Sequence, residues 1–357
     1  MSNIDFSPEI QLEEKVQNAE GEIDRSVSPM IGLIAHPETS RQEELLKFDL
    51  EYQTEKPRGK KDSFVENGML LLDSKEYKYS EVLFRKALLK DSKNFDAIVG
   101  LGLSFLGQLD FDKALKCFKA SLQLKHTEKV LSYIGDCYYT KAEDEVALHY
   151  YEQSLIGLQY DSLRLFDIYK NIGNIFVRKN DYESAEENYN KAYTINPDSD
   201  VLAVNYGTLE IQKGNLDTAQ ERFKSAIHFN NKNDKAWLGL SLVNREFGDI
   251  DLSWGNLNKS LDLNPLNQVS LQLAMDWAFR DGKIDQMVGL LENYLSVNDQ
   301  DAEMSFLQAQ ILYKIGRFAH AKIEMQRVLA IDPMLNGASD LMSFICESLN
   351  KVENRND

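Results

Sequence analysis

The chain has 357 residues, a length that suits two domains or one elongated array. Its 57 acidic and 40 basic residues leave a formal charge of −17. That argues against nucleic acid as a primary partner, because phosphate binding needs a concentrated positive surface. The low counts of 19 glycines and 7 prolines disfavour an all-β chain with many tight turns.

Residues 1–60 read as an acidic N-terminal extension, partly helical or disordered, with 13 acidic and 7 basic residues. Its opening stretch has acidic residues where a signal peptide needs a basic region and then an apolar run. Ser7-Pro8 suits the start of one helix and Ser40-x-x-Glu43 resembles a capping box for another. Between them lies the apolar run Met30, Ile31, Leu33 and Ile34. Such residues give the extension a reason to dock on its own chain, which a purely solvating tail lacks. No apolar run in the chain approaches the ~18 residues of a membrane span, so no membrane insertion is expected. Cys117, Cys137 and Cys346 are widely spaced and odd in number, forming neither a disulfide framework nor a C-x-x-C site. A cytoplasmic setting is the expectation.

From residue 61 onward a phased pattern sets in. Six blocks carry a small residue, a bulky one four later and a small one three after that. They are Ser80-Phe84-Ala87, Ala114-Phe118-Ser121, Ala147-Tyr151-Ser154, Ala185-Tyr189-Ala192, Ala219-Phe223-Ala226 and Ser253-Leu257-Ser260. Met287-Leu291-Tyr294 and Ala321-Met325-Val328 are looser copies. The first positions step by 34, 33, 38, 34, 34, 34 and 34. Spacings of four and three put each triple on one helical face, shaped for close approach to a neighbour. Upstream of the blocks stand Leu101-Gly102, Ile134-Gly135, Ile172-Gly173, Tyr206-Gly207 and Leu240-Ser241. A glycine inside a helix costs about 1 kcal/mol against alanine, so a fixed phase implies another helix pressing there. Pro197, Pro265 and Pro333 mark repeat ends. The 38-residue step places an insertion around Tyr160 to Arg164, expected as a lengthened turn. Tyr294 and Val328 replace small residues, which predicts looser or adjusted packing.

This pattern resembles the tetratricopeptide repeat (TPR) family, W-x2-L-G-x2-Y…A-x3-F…P, most completely in the unit holding Trp237, Leu240, Gly248, Leu257 and Pro265. The resemblance implies an all-α fold, a right-handed superhelical solenoid of helix-turn-helix repeats. Eight repeats are expected over 61–335, and residues 336–357 supply a C-terminal capping helix, Leu341, Phe344, Ile345 and Leu349 at helical spacing, and a frayed polar tail.

In that family the first helix of each repeat lines a concave groove. The matching positions here are Lys170, Asn171, Asn174 and Arg178, then Asn205, then Lys235 and Arg245, with Tyr139, Phe279 and Tyr313 as apolar flanks. The resemblance extends partly to carboxylate-clamp TPR domains of co-chaperones, whose order is Lys, Asn, Asn, Lys, Arg. Lys170, Asn174, Asn205 and Lys235 match it, and Gly239 stands where the Arg belongs. Two ammonium groups neutralise a carboxylate and two amides bond it or a peptide backbone. These residues predict a positive lane in an acidic protein, and a protein-interaction scaffold taking an acidic or carboxylate-bearing peptide or helix. The alternative is a regulatory signalling adaptor that binds a folded partner, such as a small GTPase or response regulator, through its outer face or N-terminal extension. The five histidines are scattered, and no phosphate-loop, dinucleotide or nucleophile-elbow motif occurs. An enzyme is therefore not expected, nor any metal or cofactor.

Overall fold

The computed structural model describes residues 63–158 and 162–356, with side chains through Val352. The expected N-terminal extension and its self-docking lie outside the described residues. The described chain is all-α, and its helices fall into two compact units, divided after Asn215.

The first unit holds α1 (Ser63–Asp73), α2 (Tyr77–Lys90), α3 (Phe95–Gly107), α4 (Phe111–Leu124) and α5 (Glu128–Thr140). It continues with α6 (Asp144–Leu155), α7 (Ser162–Arg178), α8 (Tyr182–Ile195) and α9 (Asp200–Gln212). Each helix packs on the next, and first helices of neighbouring repeats also touch, α1 with α3, α5 with α7 and α7 with α9. The second unit holds α10 (Leu216–Phe229), α11 (Asp234–Glu246), α12 (Ile250–Leu263) and α13 (Gln268–Asp281). After these come α14 (Ile284–Val297), α15 (Ala302–Lys314), α16 (Phe318–Ile331) and α17 (Ala338–Asn356). Each unit is an all-α solenoid of paired helices.

The sequence triples form the packing seams. Phe84, Phe118, Tyr151, Tyr189, Phe223, Leu257, Leu291 and Met325 are all fully buried, and so are the small residues flanking the first six. Gly102, Gly135 and Gly173 lie under those rings. A Cβ built on Gly102 would stand 2.5 Å from Phe118, and one on Gly173 would stand 2.3 Å from Tyr189. The pressing helix is thus the second helix of the same repeat. Burying each ring contributes on the order of 2–3 kcal/mol, which offsets the glycine's helix cost.

Helix ends are written locally. Asn94, Asp110, Thr127, Asp181, Ser199, Asn233, Asp249, Asn267 and Asp301 each accept a hydrogen bond from the backbone N–H three residues on. The turn inside each repeat closes through one left-handed residue. Lys75, Leu109, Ala142 and Asn180 take φ near +60° there, and Gly214, Gly248, Gly282 and Gly316 serve the later repeats.

Two expectations change and one is narrowed. The insertion is not all turn: α7 already begins at Ser162, and its 17 residues exceed the 13 of α5 or α9. The extra turn carries Arg164. Packing at the looser repeats is adjusted rather than loosened, since Val328 is fully buried and the Tyr294 hydroxyl donates to Asp301 at 2.7 Å. The polar tail continues α17 to Asn356 instead of fraying after 350, while Leu341 and Ile345 bury the apolar face.

Candidate functional site

In the first unit the predicted polar residues converge on a hydrogen-bonded ladder inside the helix stack. Arg164 pairs with Asp136 and its Nε donates to Ser132 Oγ at 2.6 Å. The Tyr151 hydroxyl donates to Asp136 Oδ1 at 2.7 Å, and Asn171 donates to the Tyr151 hydroxyl at 3.0 Å. One rung further, Asn174 donates to the Tyr139 hydroxyl at 2.8 Å. Asn174 Oδ1 accepts from both the Tyr189 hydroxyl, at 2.7 Å, and Asn205, at 2.9 Å. All of these side chains are buried. Bonded to one another, most of these groups avoid the desolvation cost of orphaned polar atoms, apart from Arg164 Nη1, which forms no hydrogen bond among the described residues, and they fix the spacing of α5, α7 and α9.

Three of the predicted cations carry compensating carboxylates. Lys170, only 3% exposed, donates to Asp167 at 2.9 Å. Arg178 holds Asp144 through two nitrogens and stacks over Tyr139, 4.6 Å from the ring centre. The same arrangement recurs in the second unit. Arg245 grips Asp281 through two nitrogens and lies 4.6 Å from the Trp277 ring centre. Trp254 Nε1 also donates to Asp281, at 2.6 Å. The Arg245 hydrogen bonds hold the Asp281 carboxyl below its ordinary range, and Trp254 adds to the effect. Three of the four predicted cations, Lys170, Arg178 and Arg245, are therefore neutralised in place by a carboxylate on the same or a neighbouring helix.

The other predicted residues stand apart from the ladder. Lys235 is half-buried near the start of α11. Phe279 is half-buried beneath Lys314, and Tyr313 packs on Phe318 with ring centres 5.4 Å apart. Gly239 has no room for the Arg of a carboxylate clamp, since even a Cβ there would stand 2.2 Å from the Phe223 ring.

Sequence reasoning missed Asp136, Asp144, Asp281, Tyr151 and Tyr189 as polar partners. A signal for two of them was present. The middle position is Tyr only in the blocks of Tyr151 and Tyr189, and the residue after the upstream glycine is polar in both, Asp136 and Asn174. Each Tyr reaches that residue across the repeat.

Among the described residues no group of three or more His, Cys, Asp or Glu side chains is placed to hold a metal. No described helix is long and apolar enough to cross a membrane. Cys137 is buried, Cys117 and Cys346 are half-buried, and all three are free thiols. Burial pushes the Cys117 thiol up to about 11, away from reactivity.

The helix pairs and their phased seams form, in each unit, an all-α solenoid of the kind that the tetratricopeptide resemblance implies. The family model for the tetratricopeptide repeat matches residues 166–199, which span most of α7 and all of α8. Protein bimA of Emericella nidulans is 32% identical over 108 residues, which is 30% of this chain and 13% of that protein. The matched stretch is thus a small part of that relative. Among solved structures, yeast Tom70 superposes with a TM-score of 0.63 at 15% identity, over 99% of this chain and 76% of that one. The Cut9 complex with Hcn1 gives 0.50 at 15% identity, over 88% and 53%. At such identity the likeness shows the fold alone.

Proposed function

We propose that the chain is a protein–protein interaction scaffold that holds an extended peptide or helix of its partner against its first helices. The observation that carries this reading is the buried ladder of α5, α7 and α9. It supports a surface whose helix spacing is set before any partner arrives, which lowers the ordering cost of binding. Among the described residues Asn205 donates one of its amide hydrogens, to Asn174, and its carbonyl oxygen accepts no hydrogen bond. That spare capacity suits the backbone of an extended peptide. An acidic or carboxylate-bearing ligand fits less simply. It would have to share Lys170 with Asp167 and Arg178 with Asp144. Backbone anchoring by Asn205 is the better supported form in the first unit, and Lys235, Phe279 and Tyr313 are the candidate contacts of the second unit taken by itself. A cytoplasmic setting belongs to the same proposal and is supported by the three free thiols.

Affinity purification with quantitative mass spectrometry tests the reading. Asn205→Ala and Lys235→Glu, each as a single variant, are expected to recover shared partners severalfold less than wild type while keeping its thermal midpoint within a few degrees. Equal recovery by both variants would remove the first helices as the binding surface. Lys170→Glu is a poor probe, because it sets a second buried carboxylate beside Asp167.

A further inference from the structure

The exposed faces of the second helices change sign along the first unit. On α2 the solvent face carries Lys78, Tyr79, Val82, Arg85, Lys86 and Leu89, all exposed and without a carboxylate among them. On α4 the same face carries Lys113, Lys116 and Lys119, with Asp112 as its acidic member. On α6 and α8 the corresponding face turns acidic, with Glu145 and Glu152, then Glu183 and Glu187. The two basic faces lie side by side. Arg85 from α2 and Lys113 from α4 flank the same Phe105 ring of α3, 5.6 and 5.4 Å from its centre.

Several of these charges are committed. Arg85 pairs with Glu81, Lys113 with Asp110, and Lys119 donates to the Tyr138 hydroxyl. Lys78, Lys86 and Lys116 form no ion pair among the described residues. Between the charges stand exposed apolar side chains, Tyr79 at 66% and Leu89 at 88%. Their helical positions put them on the same face as Lys78 and Lys86.

We propose that the outer face of α2 and α4 is a docking surface for a short acidic protein segment that also carries apolar side chains. This site is separate from the first-helix surface and does not depend on it. Charge complementarity and extent select the occupant. The basic surface is two helices wide and is bounded at once by the acidic faces of α6 and α8. A nucleic acid or an anionic bilayer reaches past that boundary and meets like charge, whereas a short acidic segment ends within it. A second copy of this chain is a weaker match, since its acidic faces are partly consumed, Glu145 by Lys179 and Glu187 by Lys191. The exposed Tyr79 and Leu89 supply the apolar contact that a purely ionic surface lacks.

The test uses the full chain and a fluorescein-labelled peptide of glutamates with leucines at helical spacing, read by anisotropy at low salt. Wild type is expected to bind. The triple variant Lys78→Glu, Lys86→Glu, Lys116→Glu is expected to bind about tenfold or more weakly, and Leu89→Ser about threefold. Asn205→Ala, which probes the first-helix surface, is expected to bind this peptide like wild type. If circular dichroism shows the triple variant unfolded, the neutral Lys→Gln triple replaces it, with a threefold or greater loss expected. Wild-type affinity in the folded triple variant overturns the proposal. So does loss of peptide binding in Asn205→Ala alone. Displacement of the peptide by phosphatidylserine vesicles or by an oligouridylate would make this face a lipid or nucleic-acid surface. Salt-sensitive self-association, abolished by the triple variant in sedimentation, would make it an interface between copies.

Discussion

Gly239 lies in α11 with the fully buried Phe223 ring where its side chain would begin. Ordinarily a helical glycine replaced by a longer residue gains up to about 1 kcal/mol of helix propensity. Here Gly239→Arg, which completes the family's clamp order, is expected to destabilise the chain by about 1–3 kcal/mol through overpacking. Urea denaturation measures this, and a variant as stable as wild type would show that the ring yields freely. The same scale explains what was legible at the site. Gly173 beneath Tyr189 was foreseeable, because a costly residue at a fixed phase implies a close neighbour. The fate of Lys170 was not foreseeable. Asp167, three residues away on the same helix, takes its charge only because both side chains are buried together.

At the scale of the element, the turn inside each repeat follows one plan. The N–H after the left-handed residue bonds to the carbonyl five residues back, as Asp110 does to Phe105 and Asp249 does to Asn244. The later repeats place glycine at the left-handed position, whereas Leu109 and Ala142 hold φ of +61° and +57° with a Cβ present. That conformation costs an L-residue about 1–2 kcal/mol. Ala142→Gly is therefore expected to stabilise the chain by about 0.5–1 kcal/mol after the loss in unfolded-state entropy. A denaturation midpoint unchanged or lowered in the variant would contradict this. Among the elements, the insertion was hardest to read. Its length was visible as a 38-residue step, but its conformation depended on Arg164 finding Asp136 and Ser132 on α5. Those partners reward an extra helical turn where a loop offers nothing.

Over the whole molecule the charge is uneven. The chain carries −17 in total, yet the second helices α2 and α4 each hold more cations than carboxylates. Self-repulsion of the acidic remainder weakens the folded state at low ionic strength and is screened as salt rises. The thermal midpoint is expected to climb by about 3 °C between roughly 20 mM and 300 mM sodium chloride. A flat or falling midpoint would mean that internal ion pairs outweigh the net charge.

By itself the sequence determined that this protein is an all-α repeat array, where each helix pair stands and which side chains form its seams. Those properties follow from spacing along one chain, and helical periodicity converts spacing directly into a buried face. Only the tertiary structure decided what the polar residues do. Arg164 meets Asp136 across 28 residues, Asn174 meets Asn205 across 31 and Arg245 meets Asp281 across 36. Whether a cation is a ligand site or a neutralised pair depends on such distant partners. The same holds in reverse for α2 and α4, whose basic faces become one surface only when α3 brings Arg85 and Lys113 to the same ring.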